Sequence, residues 1–348
     1  MNTRGFVVWC LCLFCLQISC NKKTASVKPQ HIEDGLKSSE APFSLSLETA
    51  TFFRDIAYAN VSERNTYDFF KPNQEAPSSL VIMIHGGGFV AGDKNNYYDS
   101  YKYRQLINYL LEQNIAVATI NYRFIDPLAY SGILYSLEDV KLVLQHLRYF
   151  SNVFHFDTEN VLLYGGSAGG AAAMWIGFQE DMADKTSNDP IKKESTRVQG
   201  IVALNVQANY DIVKWHTTVF SDFKKAEFDA TSIQQIVKKH RLLATYGIEK
   251  IEELDAPKTQ AYIQKTNMLE MLSANAPEFY LQTEDFENEI PTTLSELYHH
   301  PQHVNTIYKK AENVGAKGIY NCPAIHLNPI NDESIEEFII RKIGRQVK

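Results

Sequence analysis

Two glycine-rich segments carry residues whose types and spacing suit chemistry. Gly165-Gly166-Ser167-Ala168-Gly169 places a hydroxyl inside the pattern G-x-S-x-G. Glycines on both sides of the serine permit a sharp strand-to-helix turn that pushes the hydroxyl out of the chain as a nucleophile. The plainer reading of the same residues is a glycine turn with a serine helix cap. His85-Gly86-Gly87-Gly88-Phe89 is the second segment. Consecutive glycines let bare backbone amides approach a ligand atom, as an oxyanion hole requires. The amide after the nucleophile, that of Ala168, would complete such a hole. A phosphate-binding turn is the alternative for the triple glycine, but neither G-x-x-x-x-G-K-[ST] nor G-x-G-x-x-G is present. The chemistry expected of the pair is acyl transfer through a serine.

These segments need elements to hold them. Ser79 to Ile84 is a continuous apolar run leading into His85, and Val161 to Tyr164 is a second run leading into the serine turn. Both read as strands buried on two faces. Ala168 to Gly177 follows as a helix of small residues. Further strands are expected at Thr51–Ala59, Arg64–Phe70, Ile115–Asn121, Gly200–Val206, Phe279–Thr283 and Gly318–Cys322, with helices at Tyr101–Glu112, Ser136–Phe150, Val304–Val314 and Asp332–Ile343. This alternation predicts an α/β fold with a mostly parallel central sheet and helices on both faces. Residues 212 to 272 interrupt the rhythm with helical patches. They are expected as a cap insertion over the carboxyl edge of the sheet, within a single α/β domain spanning 49–348. Its aromatics Tyr210, Trp215 and Phe220 would line a pocket or serve as packing.

His85-Gly-Gly-Gly-Phe89, Gly92-Asp93-Lys94, Asn121-Tyr122-Arg123 and Gly165-Gly-Ser-Ala-Gly-Gly170 resemble the hormone-sensitive-lipase-like esterases and the bacterial carbohydrate and feruloyl-type esterases. The resemblance covers roughly residues 55 to 345 and implies the α/β-hydrolase fold. It implies Gly87 and Gly88 as amide donors and a serine esterase that needs no metal or organic cofactor. Gly166 departs from the pattern, since many members carry Asp or His there. The base is expected late in the chain, after the last strand. His326 in Pro323-Ala-Ile-His326 has that place. His299, His300 and His303 precede the last strand and read as a surface or helix-start cluster rather than a metal site. The acid should follow the strand ending at Thr283. Asp285 is the nearest match and Glu287 its rival.

The chain has 348 residues, a net charge of -7 and a pI of about 5.8, so it carries no electrostatic footprint for nucleic acid. Arg4 followed by an apolar run from Phe6 to Leu16 and by Ile18-Ser19-Cys20 reads as a lipoprotein-type signal over residues 1–19, with Cys20 lipidated. Residues 20–48 then form a flexible tether. This predicts export and a lipid anchor at a bacterial cell envelope, the anchor being the membrane contact. The partner expected is a small-molecule or glycan ester. A prolyl-oligopeptidase-like peptidase and a non-catalytic binding protein on the same fold are the competing functions.

Overall fold

The computed structural model describes residues 31–48, 50–126 and 131–344. The signal and the lipidation site at Cys20 lie outside the described residues. Among these residues eight strands form one sheet: β1 (Thr51–Ala57), β2 (Thr66–Lys71), β3 (Ser78–Ile84), β4 (Ile115–Ile120), β5 (Phe156–Gly166), β6 (Gly200–Leu204), β7 (Glu278–Gln282) and β8 (Gly318–Asn321). Their spatial order is β1-β2-β4-β3-β5-β6-β7-β8. β2 runs antiparallel to β1 and β4, and every pairing from β4 to β8 is parallel. The sheet is mostly parallel, as the alternation predicts.

Side-chain alternation divides the core. Leu80, Ile82 and Ile84 face the helices Leu134–Tyr149 and Ala168–Gly177, while Val81 and Met83 face Tyr101–Glu112 and Ile335–Ile343. Every residue of β3 and β4 is buried, which is why both read as unbroken apolar runs. Each such Val, Leu or Ile stabilises the fold by about 1.5–3 kcal/mol when fully buried. β5 begins at Phe156, earlier than expected, because the polar stretch Asp157 to Asn160 hides its first half.

Residues 31–48 correct the expectation of a free tether. Ser39 donates its amide to Phe52 O at 2.8 Å, and Phe43 lies 5.6 Å from the Phe70 ring. Phe43, Leu45 and Leu47 pack on the core while Ser44 and Ser46 face out. That period of two is the mark of an extended segment laid against a sheet. Residues 212–272 leave the carboxyl side of β6 as short helices. Ile212, Trp215, Phe220 and Ile233 join the core, and Trp175 Nε1 donates to Lys265 O at 2.8 Å.

The turn after β5 is fixed by backbone packing. Ser167 has φ 51° and ψ −121°. Its amide donates to Leu204 O at 2.7 Å, and its carbonyl accepts from Ala171 N at 2.9 Å. A Cβ on Gly169 would overlap the Ile84 carbonyl, and one on Gly165 would overlap the Gly169 backbone. Neither neighbour is a movable side chain. Gly166 is different, since a Cβ there meets nothing within 4 Å. Gly169→Ala is therefore expected to cost about 3 kcal/mol or more by overpacking, and Gly166→Ala to leave stability unchanged. Urea unfolding of both variants checks this; equal midpoints would refute it.

Candidate active site

Ser167 Oγ lies 2.9 Å from His299 Nε2. The serine stands on the strained turn between β5 and the Ala168–Gly177 helix. The histidine comes from the connection between β7 and β8. There Thr293 caps a short helix, Leu294–Tyr298, by a capping box with Glu296, and His299 ends that helix. Three contacts dock it over the carboxyl end of β6: Gln207 Nε2 donates to Tyr298 O at 2.8 Å, the Ala208 amide donates to His303 Nδ1 at 3.2 Å, and His303 Nε2 lies 3.0 Å from Leu297 O. His300 accepts from the Gln302 amide at the start of the helix Pro301–Val314. The helix-start reading of the cluster thus fits His300, while His299 turns toward the serine.

The imidazole beside Ser167 is therefore His299, and not His326 as expected from the sequence. His326 is exposed and sits at the tip of a tight turn, with φ 60°. The turn is closed by Cys322 N to Leu327 O at 2.7 Å and Leu327 N to Cys322 O at 3.2 Å. β8 is three strands from β5, or about 14 Å at the usual strand spacing. A turn pinned back on its own strand does not span that gap.

The acid position differs as well. Asp285 and Glu287 are both exposed, and Phe286 between them turns its ring toward His299, 5.2 Å away. Glu284 is held at the sheet edge by Gln282 and Asn321, each donating at 2.7 Å. The partner of His299 Nδ1 is Ser295 Oγ at 3.3 Å, one helical turn back. Burial pushes the His299 pKa below its usual 6.5, so the ring is neutral near pH 7. With Nε2 accepting from Ser167, the ring proton resides on Nδ1 and faces Ser295. The Thr293-x-x-Glu296 capping box was the available sequence signal for a helix starting at Leu294, just before His299.

The glycine segment lies against the serine turn. A Cβ on Gly86 would fall 3.3 Å from Ser167 Cβ and 2.9 Å from Gly166 O. Gly87 and Gly88 have φ of 96° and 60°, and among the described residues their amides have no hydrogen-bond acceptor. The Ala168 amide is the first of its helix and has no partner within it. Behind the loop, Arg64 Nη2 lies 3.1 Å from His85 Nε2 and donates to Gly92 O and Asn121 Oδ1, both at 3.1 Å. Burial holds His85 down at about 4, so its Nε2 accepts from Arg64 and its Nδ1 donates to Gly86 O at 2.8 Å. Tyr122 Oη donates to the His85 carbonyl at 2.8 Å.

Two cavities border this turn, one lined by Ser167 and the other by Ala168. One, of about 270 Å³, is lined by Ser167, His299, Gly86, Tyr97, Tyr103 and Asn205. The other, of about 250 Å³, is lined by Gly88, Phe89, Ile125, Ala168, Tyr210 and Trp215. The two share no lining residue, and the chain neighbours Ser167 and Ala168 belong one to each.

The comparisons with known proteins agree with this architecture. The family model described as BD-FAE matches residues 67–299, a span that contains the glycine segment and Ser167 and ends at His299. Esterase-5C of Drosophila miranda is 25% identical over 164 residues, 44% of this chain and 28% of that protein. Esterase P of Drosophila melanogaster is 31% identical over 128 residues, 33% of this chain and 22% of that protein. The chain thus spans less than a third of the length of these curated relatives. Among solved structures, a truncated carbohydrate esterase from gut microbiota superposes with a TM-score of 0.56 at 16% identity, covering 82% of this chain and 90% of that one. Esterase B from Lactobacillus rhamnosis gives 0.52 at 19%, over 85% and 84% of the two chains. At such identities the likeness shows the fold, which is that of the α/β-hydrolases. With the family match running over most of the sheet and both glycine segments, the chain belongs to the BD-FAE family.

Proposed function

We propose that the protein is a serine hydrolase that cleaves carboxylic esters of short acyl groups or of acylated carbohydrates. The observation that carries the reading is the 2.9 Å contact between Ser167 Oγ and His299 Nε2, on a strained turn beside unpaired amides. In this reading Ser167 attacks the ester carbonyl as His299 takes its proton. The amides of Gly87, Gly88 and Ala168 hold the oxygen that becomes negative, each donor being worth about 3 kcal/mol of barrier. His299 then protonates the departing alcohol, and water releases the acyl group. Ser295 takes the place of an acid by fixing the ring tautomer. It supplies orientation without the charge a carboxylate would lend to the imidazolium.

Ser167→Ala is expected to abolish turnover of 4-nitrophenyl acetate and labelling by a fluorophosphonate. His299→Ala should lower kcat/KM by about 10²- to 10⁴-fold, the usual scale for a lost general base, while His326→Ala, Asp285→Asn and Glu287→Gln leave it unchanged. Loss of activity in His326→Ala with normal activity in His299→Ala would overturn the assignment of the base.

The pH profile follows from burial of the ring. Only neutral His299 can accept the serine proton, and its pKa lies below 6.5. Activity should therefore persist on acidification past pH 6.5 and fade only below it, as the depressed pKa is crossed. A limb of kcat/KM centred at 7 or above would mean that a carboxylate supports the ring after all.

The pattern Arg4 to Cys20 supports a further part of the reading, export with a lipid on Cys20. Expressed in a bacterium, the chain should partition with membranes, and Cys20→Ala should release it; partition unaffected by that change would rule the anchor out.

A further inference from the structure

The cavity behind Gly88 is apolar apart from a few groups, and one of these is a cation. Arg241, on the helix Lys239–Tyr246, lines the cavity and approaches Gly88 so closely that a Cβ there would overlap its guanidinium. Its Cζ lies 5.3 Å from the centroid of the Tyr298 ring. Among the described residues no carboxylate pairs with Arg241: the ion pairs made by arginines involve Arg64, Arg123 and Arg341. Tyr210 supplies a second, independent sign. It is 7% exposed and lines the same cavity, and its buried hydroxyl has no hydrogen-bond partner. A buried hydroxyl without a partner is costly, and the half-buried guanidinium, beside the Tyr298 side chain, has donors to spare and no carboxylate among the described residues. Both would be satisfied by an acceptor-rich anion carried in by the substrate.

The direction of binding says which part of the substrate bears it. His299 must protonate the leaving alcohol, so the alcohol occupies the cavity shared by Ser167 and His299. In this reading the cavity lined by Gly88 and Ala168, which lacks His299, receives the acyl group. We propose that Arg241, with the Tyr210 hydroxyl, selects esters whose acyl chain ends in a carboxylate, as in the monoesters of short dicarboxylic acids. The inference rests on the ester-hydrolase reading above and adds the acyl specificity. A guanidinium matches a carboxylate in two parallel hydrogen bonds, which gives it an advantage over a point charge.

The test compares mono-4-nitrophenyl glutarate with neutral 4-nitrophenyl pentanoate, which has the same acyl length. The wild type should favour the glutarate in kcat/KM. Arg241→Gln should lose about 30-fold on the glutarate, the lower end for truncating a hydrogen-bonded charge pair, and far less on the pentanoate. Arg241→Lys should recover part of the loss. Equal losses on both esters would overturn the proposal and assign the guanidinium to the reacting carbonyl. Absence of any preference in the wild type would also overturn it, with the hydrolase reading intact. Calorimetry with Ser167→Ala gives a readout independent of turnover. Monomethyl glutarate should bind that variant and fail to bind Ser167→Ala/Arg241→Gln; equal binding to both would refute the proposal even if no ester were hydrolysed.

Discussion

The site depends on the close approach of two stretches of backbone. The carboxyl end of β3 and the turn after β5 meet without side chains between them, Gly169 lying on the Ile84 carbonyl and Gly86 beside Gly166 and Ser167. β3 and β5 are hydrogen-bonded neighbours in parallel register up to Ile84 and Gly165. Both chains therefore leave the sheet at the same level. The Ser167 hydroxyl and a row of bare amides can share one point only if neither chain carries bulk there.

Burial pays for this arrangement through a polar network behind the glycine loop. Arg64 reaches His85, the Gly92 carbonyl and Asn121 together, and Asn121 also accepts from the Lys94 amide at 2.7 Å and donates to Asp93 at 2.8 Å. Arg123 grips the buried Asp139 with two nitrogens. These contacts give physical content to the motifs Gly92-Asp93-Lys94 and Asn121-Tyr122-Arg123. They satisfy the groups around a loop whose own amides are kept free, as a fully connected buried network must.

The elements were largely legible because the sheet is buried on both faces. Its strands stand out as apolar runs, and the helices Tyr101–Glu112 and Ala168–Gly177 occupy the expected spans. The part misread as tether shows the limit of composition. Phe43, Leu45 and Leu47 alternate with polar residues, and an average over the segment conceals that period. The imidazole beside Ser167 was misplaced for a different reason. Position relative to the last strand pointed to His326, whereas contact depends on how far each loop reaches across the sheet. The 322–327 turn folds back on β8, and the β7–β8 connection crosses β6.

Local sequence alone determined Ser167 and the glycine segment, because tight turns and close backbone approach require glycine at fixed positions next to buried strands. Which histidine meets the serine, which loop residues face away from it and where Arg241 ends up were decided by tertiary structure. These choices depend on docking between segments 90 or more residues apart, such as Gln207 with Tyr298 and Ser167 with His299, rather than on any local preference of the chain.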